Sequence, residues 1–239
     1  MNSRQITPRW LKIGRQLLKR FLKYQVGRPD IRFAVAVPAP PVPFRVSVTQ
    51  AVRRSYLYEN KISNLRLAGV RVGRFVVQSG ETFSFWRAVG PPTARRGFLP
   101  GRNLIGGELK EDYGGGLCQM SGLLYHLSLM AGLEIVERHN HSTDIYQDHE
   151  RFTPLGADAT VVYGYRDLMV RNTLDDAVYF SVTVEDDQVI GMLHCAGEIT
   201  VRELEFRLVW EDGQAKEVLT VDGAGEVLCR SVYGGDYPL

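Results

Sequence analysis

Cys118 is followed along the chain by His141 and then by Asp158 and Asp167. That is the order in which many cysteine acyl-transfer enzymes present a nucleophile, a proton-moving imidazole and an orienting carboxylate. A thiolate would attack an acyl carbon, the histidine would shuttle the proton, and one of the two aspartates would hold the ring. The cysteine follows Gly114, Gly115 and Gly116 after one leucine, Leu117, and precedes Gln119. Glycines there let the backbone approach a ligand, so Gly114, Gly115, Gly116 and Gln119 are the expected substrate-binding residues. Cys118 would sit in the first turn of a helix, where free N–H groups favour a thiolate and can receive an oxyanion. A second chemistry uses overlapping residues, since Cys118, His139 and His141 could ligate zinc with one position left for water. Their spacing matches no standard zinc signature, so no metal or other cofactor is expected. The plainest alternative is a small cysteine packed beside a tight turn, because free cysteine is among the most buried residue types.

The elements that must position these groups follow from periodicity. Leu117, Met120, Leu123, Leu124, Leu127 and Met130 recur at three- and four-residue intervals, which predicts a helix over 117–131 with one buried face, ended by Gly132. Residues 133–141 alternate as a strand that puts His139 and His141 on one face. Residues 158–163 and 167–172 read as two further strands, 178–185 and 188–194 as a hairpin, and 203–210 and 217–221 as strands of the tail. Upstream, 60–72 reads as a helix, 74–78 as a strand, and 81–86 as an alternating aromatic strand. The breaker-rich stretch from Gly97 to Gly107 reads as a long loop with short strands, folded over the cysteine. The expected fold is α+β, with the cysteine helix packed on a mainly antiparallel sheet.

Charge is distributed unevenly. Residues 1–29 hold eight basic residues and no acidic one, which leaves 21 basic against 27 acidic residues and a net charge of −6 on the remainder. Thr7-Pro8 and Gly27 bound a helix over about residues 8–25. One half of its wheel carries Trp10, Leu11, Ile13, Leu17, Leu18, Phe21, Leu22 and Tyr24; the other carries Arg9, Lys12, Arg15, Lys19, Arg20 and Lys23. Such a helix suits an anionic lipid interface, or packing on the domain with a solvated basic face. Basic residues interrupt any signal-peptide core, and no run of about eighteen apolar residues exists to span a membrane. The expected location is cytoplasmic, peripheral on the inner face of the membrane. No basic patch outside the head points to nucleic acid. The proline-rich segment 38–43 divides a head, residues 1–43, from a body, residues 44–239. Three cysteines, Cys118, Cys195 and Cys229, cannot all pair, which fits a reducing compartment.

Four blocks in order, Gly80–Trp86, Gly114–Gln119, Gly156–Val161 and Tyr165–Asn172, together resemble the VanW family, and Asn60–Leu67 is similar to its pattern upstream. The resemblance covers about residues 55–195 and leaves 196–239 as a C-terminal β extension. It implies a link to the bacterial cell envelope and glycopeptide resistance, with a peptide or cell-wall-derived substrate. His141 matches the family's pattern and His139 does not. Two functions follow: a cysteine-dependent amidase, peptidase or transferase, or a noncatalytic ligand-binding or scaffold protein at the membrane surface.

Overall fold

The computed structural model describes residues 7–105, 108–144, 151–185, 187–211 and 216–234; His149 and part of the 144–156 loop lie outside them. The fold is α+β, as the periodicities predict, and the cysteine helix is its centre. In chain order, helix α1 (Arg9–Phe21) continues through a wider π turn, Leu22–Val26. Strands β1 (Arg32–Phe33), β2 (Val35–Ala36) and β3 (Phe44–Ala51) lead to helix α2 (Tyr58–Val72). Then come β4 (Phe75–Val77), β5 (Glu81–Ser84) and the short helix α3 (Phe85–Val89). A hairpin of β6 (Pro100–Ile105) and β7 (Glu108–Tyr113) precedes helix α4 (Leu117–Met130). Strands β8 (Glu134–Glu137), β9 (Met169–Arg171), β10 (Val178–Glu185) and β11 (Gln188–Cys195) complete the central sheets. The tail forms β12 (Leu204–Glu211), β13 (Lys216–Asp222) and β14 (Val227–Tyr233).

One central sheet has the order β1-β5-β9-β8 and the other β2-β4-β10-β11-β3. Pairing is antiparallel except between β1 and β5. Strands β1 and β2 lie before the proline-rich segment, yet each is hydrogen-bonded into a sheet of the body.

Helix α4 is buried on every side rather than on one face: Leu117, Met120, Leu123, Leu124, Tyr125, Leu127 and Leu129 are each at most 4% exposed. Its apolar residues therefore form the core that the sheets wrap, as expected of a helix hydrophobic all round. Strand β11 comes so close that a Cβ on Gly191 would lie 2.8 Å from Leu123 Cδ2. The helix stops as predicted, with Gly132 at φ +75° and Leu133 N–H bonded back to Ser128 O at 2.9 Å.

Three local readings are corrected. Residues 85–86 are helical because Ser84 Oγ accepts from Arg87 N–H at 3.2 Å and caps α3, a signal that the aromatic alternation masks. Residues 158–163 form no strand beyond one bridge, Val162 to Arg166, because the segment crosses α4 instead of joining a sheet. Strand β8 ends at Glu137, so the shared face expected for His139 and His141 does not exist.

Candidate functional site

The start of α4 is fixed by backbone contacts that only glycine permits. Gly116 occupies the cap position at φ +98°, and Gly115 meets Gly101 of β6 so closely that a Cβ on it would lie 2.6 Å from Gly101 Cα. Asn64, buried on α2, ties this turn to the hairpin: its Nδ2 donates to Gly115 O at 3.1 Å and to Leu99 O at 3.0 Å, and its Oδ1 accepts from Leu99 N–H at 2.8 Å. Cys118 therefore enters the first helical turn on a rigid support. Its backbone N–H and that of Gln119 have no intrahelical acceptor there.

The segment after Gly156 is drawn across the same helix. Ser121 Oγ donates to Ala159 O at 2.5 Å, and the missing side chain of Gly122 admits the backbone, with Ala159 N 3.4 Å and Asp158 Cα 3.5 Å from where a Cβ would be. This crossing lays Asp158, Thr160 and Val161 along one side of the helix start. Cys118 Sγ lies 3.6 Å from Thr160 Oγ1 and donates to Val161 O at 3.8 Å.

His141 completes the constellation. Its Nδ1 lies 2.6 Å from Asp158 Oδ2, and its backbone N–H donates to the same oxygen at 2.7 Å. Its other electrostatic partner is the Cys118 thiol at the start of α4. Asp158 is fixed in turn by Arg138, whose Nη2 donates to Oδ1 at 3.1 Å and whose Nε donates to Asp158 O at 2.8 Å. The Tyr233 hydroxyl donates to Oδ1 as well and accepts from Gly156 N–H at 2.8 Å. Arg138 also donates to Ser231 Oγ at 2.7 Å and stacks over Tyr125, so β14 and α4 both brace it.

Electrostatics follow from this geometry. Burial of Cys118 opposes a thiolate, but its interaction with the positively charged His141 ring outweighs it, with help from the Thr160 hydroxyl, and holds the thiol below its ordinary value. Burial likewise opposes charge on His141, yet Asp158 and Cys118 lift it to about 10. Burial would raise the Asp158 carboxyl, but His141, Arg138 and Tyr233 hold it well below the usual carboxylate range. These shifts all run toward a thiolate–imidazolium pair backed by a carboxylate. The His141 side chain keeps 25% of its surface exposed, so the pair is reachable from outside. Beside the glycine turn, Lys61 Cγ lies 3.0 Å from the Cβ position of Gly116. Its ammonium is pushed down to about 8 by burial and by the neighbouring Arg102 and Arg53.

Of the residues singled out from sequence, Cys118, His141 and Asp158 come together. Asp167 does not join them: its carboxylate accepts from Ser84 Oγ at 2.6 Å, Trp86 N–H at 3.1 Å and Leu168 N–H at 2.9 Å. It locks the Gly80–Trp86 block to the Tyr165–Asn172 block, and burial pushes it up to about 6. Gly114, Gly115 and Gly116 form the turn itself. Gln119 faces β3, where its Nε2 donates to Ala51 O at 2.9 Å. The zinc trio is not gathered, because His139 Nε2 lies 3.1 Å from Glu137 Oε1, and among the described residues no three His, Cys, Asp or Glu side chains are placed to hold a metal. Sequence reasoning missed Arg138, Thr160 and Tyr233. Thr160 lies in the Gly156–Val161 block but carries no mark of its own there, and nothing local marks Arg138, in a run with Glu137 and His139, or Tyr233.

The family model described as VanW like protein matches residues 60–194. The vancomycin B-type resistance protein VanW of Enterococcus faecalis (strain ATCC 700802 / V583) is 32% identical over 186 residues, which span 73% of this chain and 68% of that protein. Bacillus subtilis (strain 168) YoaR, described as uncharacterized, is 33% identical over 144 residues, covering 60% of this chain and 46% of YoaR. No solved structure matches the chain.

Proposed function

The chain belongs to the VanW-like protein family, and from that premise we propose that it is a cell-envelope protein in which Cys118 performs acyl transfer on a peptide or amide substrate. The relative's name ties that protein to vancomycin resistance, and the proposal carries the same setting to this chain. The observation that carries the chemistry is the hydrogen bond of His141 to Asp158 beside the thiol with which His141 interacts, the three residues coming from three separate segments of the chain.

In the proposed cycle the Cys118 thiolate attacks the carbonyl carbon of the substrate. The oxyanion is received by the backbone N–H groups of the first turn of α4. His141, already protonated, gives its proton to the departing amine, which leaves a thioester on Cys118. The now neutral imidazole takes a proton from water or from an acceptor amine, whose attack releases the acyl group and restores the thiolate. Asp158, held by Arg138 and Tyr233, keeps the ring oriented and stabilises its positive charge. Lys61, Arg102 and Arg53 favour an acyl substrate that carries an anionic group.

The test is intact-mass analysis after exposure to p-nitrophenyl acetate. One acetyl group is expected on Cys118, with a matching burst of nitrophenolate, and neither is expected in Cys118→Ala. His141→Ala should form the thioester at least tenfold more slowly. Acetylation spread over lysines, with none on Cys118, would end the proposal.

A further inference from the structure

Helix α1 presents three faces, and the catalytic reading uses none of them. The first packs on the body. Arg20 donates to both carboxylate oxygens of Glu137, at 2.7 and 2.8 Å, and the Tyr24 hydroxyl donates to Oε2 at 2.5 Å. Ile13 rests against Gly164, 3.4 Å from where its Cβ would be. The second face is apolar and uncovered: Trp10, Leu11, Leu18, Phe21 and Leu22 are 71, 45, 58, 55 and 51% exposed. On a wheel of about 100° per residue these five fill one arc of about 120°. Arg15 and Lys19 border that arc, and Lys12 and Lys23 extend the third, basic face. The body answers two of the helix's cations, Arg9 with Asp112 and Arg20 with Glu137. Among the described residues no carboxylate pairs with Lys12, Arg15, Lys19 or Lys23.

We propose that α1 docks the protein on an anionic lipid surface, with Trp10, Leu11, Leu18, Phe21 and Leu22 entering the headgroup–acyl boundary and Lys12, Arg15, Lys19 and Lys23 meeting the headgroups. Charge decides the occupant. A purely apolar groove on another protein would leave beside it four cations that have no carboxylate partner among the described residues, whereas a leaflet rich in acidic phospholipid satisfies both the stripe and its basic border. Trp10 suits the interface, where its amphipathic ring lies between water and acyl chains, and Phe21 adds apolar surface to the stripe. Docking needs no release of the helix, because the contacts to Glu137 and Gly164 use a different face. Glu137, the last residue of the strand that holds the helix, directly precedes Arg138, which fixes Asp158, so the helix contact and the thiol site are adjacent along the chain.

The test is flotation of the full chain with vesicles of phosphatidylcholine alone and of phosphatidylcholine with one quarter phosphatidylglycerol. Binding to the anionic vesicles is expected to exceed binding to the neutral ones at least tenfold, and to weaken in high salt. Leu18→Glu with Phe21→Glu should reduce it at least tenfold. Arg15→Gln with Lys19→Gln should do the same, at roughly fivefold per cation. All four positions carry solvent-facing side chains, and far-UV circular dichroism with thermal melting checks that the variants stay folded. The fluorescence of Trp10 should shift to the blue on binding, and Trp10→Phe should remove that shift. Absence of flotation on anionic vesicles, equal flotation of either double variant, or a lipid-free dimer that Leu18→Glu with Phe21→Glu dissolves would each overturn the proposal.

Discussion

Replacing Asp158 by Asn keeps the size of the side chain and one acceptor oxygen but removes the charge that faces His141 across 2.6 Å. In the native protein burial works against a charged ring, yet Asp158 and Cys118 raise it from its ordinary 6.5 to about 10. At about 1.4 kcal/mol for each pH unit, that rise is worth on the order of 5 kcal/mol in favour of the imidazolium. An opposite charge at this range supplies about one to three pH units, so Asp158→Asn should lower the His141 midpoint by about two units or more. The proton linkage has a definite sign. A histidine raised on folding adds stability that is complete below its unfolded value and is lost as pH rises through about 10, and the variant should lose much of that contribution. Ring-carbon NMR titration, with His141 assigned by its absence in His141→Ala, measures the midpoint. Asp167→Asn is the control, since its carboxylate bonds Ser84 and Trp86 instead. A His141 midpoint unmoved by Asp158→Asn, or moved equally by Asp167→Asn, would refute the reasoning.

Three further outcomes follow from the packing and charge. Gly115→Ala would drive a methyl group into Gly101, and about 1–3 kcal/mol of stability should be lost in urea unfolding, together with slower labelling of Cys118. Leu124→Ala, at a fully buried position of α4, should cost about 2–5 kcal/mol in the same assay. Asp167 is raised on folding to about 6, so its contribution is complete below its unfolded value and falls away as pH rises through 6. Relative to Asp167→Asn, the native protein should therefore lose on the order of 3 kcal/mol between pH 4 and pH 8, as read from unfolding curves across that range.

The centre of the fold was open to sequence reasoning because α4 writes its own pattern: glycines before it, apolar residues along it, and Gly132 after it. The Cys118, His141 and Asp158 candidates were legible for the same reason, as chemistry-bearing residues in a recognisable order. Choosing between Asp158 and Asp167 was not possible from spacing. That choice depends on Ser121 and Gly122 pulling residues 157–161 across the helix, a tertiary contact with no periodic trace. The segment's alternation instead imitates a strand. Tyr233 is a similar case, since it reaches Asp158 through the last strand of the tail sheet, about 75 residues downstream. The glycines build the turn beneath the thiol and Gln119 ties the helix to β3, contacts that spacing alone does not reveal. For α1 the pattern offered lipid contact and packing on the domain as alternatives. The helix has enough circumference for both, with Arg20 and Tyr24 on the body and Trp10, Leu11, Leu18, Phe21 and Leu22 left outward.

The claim that most needs testing is that Cys118 is held as a thiolate by His141. Its second-order rate of alkylation by iodoacetamide, followed by peptide mass analysis from pH 5 to pH 10, addresses that directly. Cys195 serves as the internal reference, because it is buried and burial pushes its thiol up. The account predicts that Cys118 labels at least tenfold faster than Cys195 at pH 7, with a midpoint below that of an ordinary thiol, and that His141→Ala moves the midpoint above it. Equal labelling of the two cysteines at neutral pH, or a Cys118 profile unchanged in His141→Ala, would contradict it.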